Sequence, residues 1–351
     1  MTVLCGQNGV GKSSAIQALL LLRQSYLHNR LQRGLRLNKP LYSLGSGEDV
    51  LCTSGDSDIV SLELTIKYVN ISKWNFDVKN ALIADLIPFL EGSIIPKIDE
   101  EVSIFSNSGF QYVSAQRGTN YERDDDAVRF GKQLSINEGK AELTAQFLFE
   151  CQSSAVNSVL FHESTTANNL LAQTTAWQRE ISKGVNVLPK KIGDFYDIKY
   201  SFDKDNGDRT NEFKSQNVGF GLSYSLPVIV AALASPTDSL ILIENPEAHL
   251  HPYGQAKLAE LLCIAAQAGV QIIIETHSDH FINGICRATK RFEEGKKGIN
   301  RENVAIYNFD RDEYTHTAHA TEVPILPKGR IRRPPKGFFD QLSHDLNELM
   351  S

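Results

Sequence analysis

Apolar positions along the chain follow two different periods, and their alternation predicts an α/β fold. Three short stretches are apolar at almost every position: Val3-Leu4-Cys5, Leu240-Ile241-Leu242-Ile243 and Val270-Gln271-Ile272-Ile273-Ile274. Runs of this kind suit parallel strands buried on both faces. Residues 110–117 read as a return strand to the same sheet and 304–309 as a further strand. Helical spacing appears over residues 13–33, apolar in the first half, and in a segment carrying Leu258, Leu261, Leu262 and Ala265. Residues 41–82 change character. Turn signals at Gly45-Ser46-Gly47 and Ser54-Gly55-Asp56 precede a two-residue alternation over 59–68, which predicts an antiparallel β-subdomain. From 118 to 215 the pattern weakens around an acidic knot, Asp124-Asp125-Asp126. Helical signals remain at 139–152 and at 166–183, which includes Trp177, without sustained heptads. This stretch reads as an inserted helical lid. The expected divisions are 1–117 (loop and β-subdomain part of a core), 118–215 (lid), 216–300 (second part of the core) and 301–351 (hairpin and closing helix over 337–350).

The first strand runs into Gly6-Gln7-Asn8-Gly9-Val10-Gly11-Lys12-Ser13, a full match to G-x-x-x-x-G-K-[ST] in the strand–loop–helix setting that motif requires. In such a loop backbone N–H groups converge on a polyphosphate, and the helix N-terminus adds a partial positive charge. Gly6, Asn8, Gly9, Gly11, Lys12, Ser13 and Ser14 are therefore the expected ATP-binding residues. Lys12 is expected on the β/γ-phosphates and Ser13 on Mg²⁺. The strand over 240–243 ends in Glu244, where a P-loop site needs a carboxylate to touch Mg²⁺ directly or through water. Gln116 and Arg117 fall at the carboxyl end of the return strand, where ligands bind in open α/β sheets. Two readings stand side by side there: one of them senses a γ-phosphate or a partner, or both are polar strand-end residues satisfied by nearby loops.

The totals set limits. At 351 residues there is room for one elaborated domain or two, and 41% hydrophobic with 22% charged residues is ordinary for a globular chain. A net charge of −6 gives no global footprint for nucleic acid. Cys5, Cys52, Cys151, Cys263 and Cys286 are scattered and never form C-x-x-C, as expected of reduced thiols in a cytoplasmic protein. No apolar run reaches the roughly 18 residues of a membrane span, and no signal peptide is present, so no membrane partner is expected. Arg30, Arg33 and Arg36 ahead of Lys39-Pro40 read as a solvated loop. Lys328, Arg330, Arg332, Arg333 and Lys336 read as a solvated basic loop, with a DNA-phosphate or partner contact as the alternative.

Asn245-Pro246-Glu247-Ala248-His249-Leu250-His251-Pro252 follows the first carboxylate, and Thr276-His277-Ser278 follows the strand ending in Glu275. Together with the P-loop these segments resemble the ABC-type ATPase superfamily. More narrowly they are similar to the OLD-like predicted ATPases, which include ATPase subunits of Septu-type and retron-associated anti-phage systems. Residues 334–341, PPKGFFDQ, resemble the C-terminal end of one such uncharacterised family. The resemblance implies that Glu244 is the Walker B acid, that His277 is the switch histidine reading the γ-phosphate, and that residues 247–251 form a D-loop crossing to a second subunit. It also places a signature segment at 217–223, where Asn217, Gly219 and Gly221 would present backbone N–H groups to ATP held by a partner.

The departures are specific. The signature is not LSGGQ, and its serine has only Asn217 or Ser223 as counterpart. The Walker B acid is Glu, and Asn245 stands where the superfamily has a catalytic glutamate. An asparagine side chain cannot act as a general base; Glu247, two residues on, is the substitute. ABC-type relatives place a strand pair before the loop to help hold adenine, whereas the five-residue lead-in from Met1 has room for one short strand, through truncation or because the protein manages without that layer. His249, His251, His277 and His280 could suggest a metal site, but the ABC-type reading accounts for the first three without one. Asp310-Arg311-Asp312 superficially resembles the D-x-D of a Toprim nuclease, yet the tail after it is too short for that module and a hairpin turn is expected. The implied function is an ATPase using ATP and Mg²⁺ that forms a homodimer or higher oligomer around ATP, hydrolyses it slowly, and regulates a separate effector, a nuclease, in anti-phage defence. The alternative is a RecF/SMC-like repair or maintenance ATPase acting on DNA.

Overall fold

A computed structural model describes residues 1–28, 31–52, 55, 57–66, 70–96, 104–106, 108–331 and 341–350. β1 (Thr2–Gly6) leads through the glycine-rich loop into α1 (Lys12–Leu27), which ends earlier than the apolar spacing suggested. Arg30 lies outside the described residues, as do Ser54, Asp56 and the 67–68 end of the expected alternating strand. Two antiparallel pairs form the β-subdomain: β2 (Gly34–Arg36) with β5 (Leu86–Pro88), and β3 (Ile59–Ile66) with β4 (Asn70–Asp77). The return strand, β6 (Phe110–Val113), is shorter than the reading of 110–117, so Gln116 and Arg117 lie beyond its end.

Between 118 and 215 two helices lie within the expected spans but are shorter than them, α2 (Thr144–Cys151) and α3 (Leu170–Ile181). Beside them is a three-stranded antiparallel sheet that the sequence reading did not place: β7 (Val185–Ile192), β8 (Phe195–Phe202) and β9 (Phe213–Lys214). Its signal was present, because Tyr196, Ile198 and Tyr200 alternate with Asp197 and Lys199 and all three are buried. Phe147, Trp177, Val187 and Tyr200 join the same apolar cluster as the central sheet, so this region packs into the core.

The chain continues with α4 (Phe220–Ala234), β10 (Leu240–Glu244), α5 (Pro252–Gln267), β11 (Gln271–Glu275), α6 (Asp279–Glu293), the hairpin β12 (Ala305–Arg311) and β13 (Ala318–Glu322), and α7 (Gln341–Met350). The central sheet has the order β13-β12-β1-β11-β10-β6. All its pairings are parallel except that of the edge strand β13 with β12. The expected turn at Asp310-Arg311-Asp312 is the start of that hairpin, where Asp312 accepts from the backbone N–H groups of Tyr314 and Thr315. Of the basic tail, Lys328 and Arg330 are described, while Arg332, Arg333, Lys336 and residues 334–340 lie outside the described residues.

Strand parity decides what faces the loop. Val3, Cys5, Ile241, Ile243, Ile272 and Ile274 point to one side and pack with α4, α5 and α6. Leu4, Leu240 and Leu242 point to the other, against Ile16 and Leu20 of α1 and against Trp74 and Phe76 of β4. Each such aliphatic side chain buried from water stabilises the sheet by about 1.5–3 kcal/mol. With a period of two, the residues ending the second series, Glu244 and Glu275, emerge on the α1 side. No helix of the described residues is long and apolar enough to cross a membrane.

Candidate nucleotide site

The loop leaves the sheet at Gly6, whose φ of +131° is disfavoured for a residue with a side chain. A Cβ there would also run into the Phe309 carbonyl of β12, so both backbone angle and space demand glycine. Lys12 begins α1, is buried, and folds its Nζ back to donate to the Gly6 carbonyl at 3.1 Å and the Gln7 carbonyl at 2.6 Å. Burial lowers its pKa, with Glu275 opposing that shift. Asn8, Gly9, Gly11, Lys12, Ser13 and Ser14 line a cavity of about 410 Å³ together with Glu275 and His277. The hairpin reaches the loop as well: Arg311 Nη1 lies 3.5 Å from the Gly9 carbonyl.

Ser13 Oγ donates to Glu275 Oε1 at 2.9 Å. The partner is the carboxylate of β11, to which the sequence reading gave no role. Strand order explains it. β11 lies between β1 and β10, with Leu4 opposite Glu275 and Glu275 opposite Glu244. Glu275 is therefore about 4.8 Å from the loop's own strand and Glu244 roughly twice that. Glu244 is engaged elsewhere. Its Oε1 accepts from the Tyr112 hydroxyl at 3.0 Å and its Oε2 from the Ala115 N–H at 3.2 Å. Burial raises the pKa of both carboxylates, Tyr112 and Ala115 opposing it at Glu244, Ser13 and Lys12 at Glu275. Glu244 lines a second cavity of about 260 Å³ with Tyr42, Tyr112, Gln116 and Glu138.

The pair left open at the strand end divides. Gln116 is exposed and lines the cavity beside Glu244. Arg117 is 2% exposed and donates to the carbonyls of Ser114, Glu244 and Asn245 at 2.7–2.8 Å. Its guanidinium ties the end of β6 to the end of β10, and burial pulls its pKa down to about 10.

After β10 the chain turns through Asn245 (φ +44°), whose N–H donates to the Glu275 carbonyl at 2.8 Å. Glu247 Oε1 accepts the His277 N–H at 2.8 Å, and its Oε2 is buried without a partner. The His277 ring is close to the loop, 4.0 Å from Glu275 Oε1, with a pKa lowered by burial and by Lys12. His251 caps α5 and accepts from the Tyr253 N–H. His249 (φ +62°) sets its ring against Phe220 and Tyr224 at 5.4 and 4.5 Å between centroids.

The signature-like segment runs into α4, which begins at Phe220. Asn217, Gly219 and Phe220 are exposed, Phe220 at 61%. Gly219 has open space where a side chain would start, whereas a Cβ on Gly221 would meet the His249 carbonyl at 2.9 Å. The two glycines therefore differ: one faces outward and the other packs on residues 249–250 of the same chain. Ser223 is buried and donates inward to the Ser215 carbonyl, which leaves Asn217 as the exposed polar group of the segment.

A Mg²⁺ ion fits this arrangement on two observations. Glu275 is 5% exposed, and its Oε2 has no hydrogen-bond partner. Ser13, Glu275 and the loop residues Gly9, Gly11 and Lys12 line one cavity, which leaves room beside the carboxylate for an ion and for ligands from outside the protein. Mg²⁺ beside phosphate oxygens has that form.

Residues 116–283 match the family model described as "AAA domain, putative AbiEii toxin, Type IV TA system", and residues 299–349 match "Protein of unknown function (DUF3696)". No curated protein matches the chain in sequence. Similar solved structures include an SMC head bound to the C-terminal winged-helix domain of ScpA (13% identity, 92% of this chain and 90% of that one, TM-score 0.45). The SMC head domain from Thermotoga maritima is similar at 12% identity, with 92% of this chain and 90% of that one covered and a TM-score of 0.44. An SMC head from Pyrococcus furiosus, bound to the C-terminal domain of ScpA, is similar at 10% identity, with 100% and 93% covered and a TM-score of 0.46. The AAA match spans the strands and turns that carry Glu244 and His277, and with the P-loop and the mostly parallel sheet it supports placing the chain in the P-loop ATPase superfamily.

Proposed function

We propose that the protein is an ATP-dependent clamp: two copies close around ATP and Mg²⁺, and the closed state regulates a separate effector, a nuclease, in defence against phage. The observation carrying this reading is that the P-loop cavity and the exposed start of α4 share no lining residue. Lys12, Ser13 and His277 gather on the P-loop side, while Asn217, Gly219 and Phe220 stand exposed at the start of α4. An unobstructed helix N-terminus is a phosphate-binding surface awaiting an anion, and a second copy would supply one. The matched family's description names a toxin of a type IV toxin–antitoxin system, which accords with a component that acts on or through a partner.

In this reading Gly6, Asn8, Gly9, Gly11 and Ser14 cradle the phosphates, Lys12 swings from its loop carbonyls to them, and Gln116, in the cavity beside Glu244, senses the γ-phosphate. ATP would contribute the anhydride bond and, with Mg²⁺, the charge neutralisation that phosphoryl transfer requires. Asn245 orients a water but takes no proton from it. Glu247 keeps a buried oxygen, Oε2, without a partner and is the proposed base, with His277 reading the γ-phosphate. The cytoplasm is the proposed location.

Light scattering with and without ATP tests the proposal. A shift from monomer to dimer on adding Mg·ATP, lost in Gly219→Asp, supports the clamp; an unchanged mass in the wild type refutes it. Affinity purification from the native host with mass spectrometry then identifies whether the co-eluting protein is a nuclease.

A further inference from the structure

Glu275 is 5% exposed, and its two oxygens are treated differently. Oε1 accepts the Ser13 hydroxyl at 2.9 Å, whereas Oε2 is buried with no donor. A carboxylate oxygen left bare in the interior is costly unless something comes to it. The nearby cation, Lys12, has its ammonium committed to the Gly6 and Gln7 carbonyls. Glu244, by contrast, has a donor on each oxygen and stands one strand further from the loop.

We propose that Glu275, with Ser13, holds the Mg²⁺ of the bound nucleotide, a task that the family pattern gives to Glu244. The proposal rests on the nucleotide-binding reading of the P-loop. Strand order supports it: the carboxylate adjacent to β1, in register with Leu4, meets the residue at the start of α1. Glu244 then fixes the neighbouring cavity through Tyr112 and Ala115 and stays outside the ion's inner shell.

Calorimetry of ATP binding, with Mg²⁺ or with EDTA, separates the possibilities for the wild type, Glu275→Gln and Glu244→Gln. Glu275→Gln should retain the affinity seen in EDTA and lose the Mg²⁺ enhancement by about 10–100-fold, while Glu244→Gln keeps most of it. Electron paramagnetic resonance with Mn²⁺ and ADP should show the bound ion released in Glu275→Gln. The glutamine removes a buried charge at constant shape, so the melting temperature of the nucleotide-free variant should hold or rise. Glu275→Asp, which withdraws the carboxylate by one methylene, should weaken the Mg²⁺ dependence in the same direction and serves should the glutamine variant not fold. Full Mg²⁺ enhancement in Glu275→Gln together with its loss in Glu244→Gln overturns the proposal. A wild type that binds no ATP in either condition overturns the P-loop reading and this proposal with it.

Discussion

Arg117→Met removes the guanidinium that joins two strand ends and leaves a side chain of similar length. Arg117 donates to three carbonyls, those of Ser114, Glu244 and Asn245. The Asn245 carbonyl keeps a bond from the Ala248 N–H at 3.1 Å, so the Ser114 and Glu244 carbonyls lose most. A buried acceptor deprived of its donor costs about 1–3 kcal/mol, which puts the gross loss near 2–6 kcal/mol. Burying the guanidinium is itself unfavourable, as its lowered pKa records, and methionine relieves that cost. A net loss of about 3 kcal/mol follows, and with a urea slope near 3 kcal/mol per molar the midpoint should fall by about 1 M. Arg117→Lys should recover only part, because an ammonium lacks the planar fork that reaches several carbonyls at once. Urea unfolding followed by circular dichroism measures both. A midpoint for Arg117→Met within 0.2 M of wild type, on the order of 0.5 kcal/mol at that slope, would falsify the structural role and return Arg117 to the list of ligand sensors.

The other predictions concern the site itself. Lys12→Ala should abolish Mg·ATP binding by calorimetry with the circular dichroism unchanged; retained binding sinks the P-loop assignment. Gly219→Asp should repel a partner-held phosphate and prevent ATP-dependent association in light scattering without lowering the melting temperature. Gly221→Asp should lower that temperature, because its Cβ would press on the His249 carbonyl; equal melting temperatures for the two variants contradict the packing difference. Asn245→Glu should raise kcat for phosphate release at least about tenfold, toward the ~10²–10⁴ of a general base. It should also lose about 1 kcal/mol of stability, since glutamate tolerates the left-handed backbone at 245 less well than asparagine. Glu247→Gln should stop a fast enzyme and leave a slow one nearly unchanged; rapid wild-type turnover that survives Glu247→Gln contradicts the roles of both residues.

The P-loop and both carboxylate-ending strands were legible because each depends on local pattern alone. Glu275 was visible as the end of a run like that of Glu244, Ile272-Ile273-Ile274-Glu275 beside Leu240-Ile241-Leu242-Ile243-Glu244. Which of the two stands next to the loop is a question of strand order, and that is set by pairings between residues some 270 positions apart, such as Thr2 with Ile273. Gln116 and Arg117 could not be told apart because neighbouring residues past a strand's end follow no period. The sheet of β7, β8 and β9 was missed for a different reason. The alternation in β8 is clear, but Pro189 and two lysines in β7 hide the partner strand it needs.

The bond from the His277 N–H to Glu247, and that from the Asn245 N–H to the Glu275 carbonyl, stitch the loop after β10 to the loop after β11. In the proposed clamp one of these loops would be offered to a second chain and the other to a terminal phosphate, so displacing either would disturb the other. Linkage then imposes a reciprocity: any factor by which nucleotide tightens the dimer must equal the factor by which the dimer tightens nucleotide. Titrating ATP at fixed protein and diluting protein at fixed ATP are thus two routes to a single coupling energy. Cutting the stitch with Glu247→Ala should shrink that energy from both directions at once.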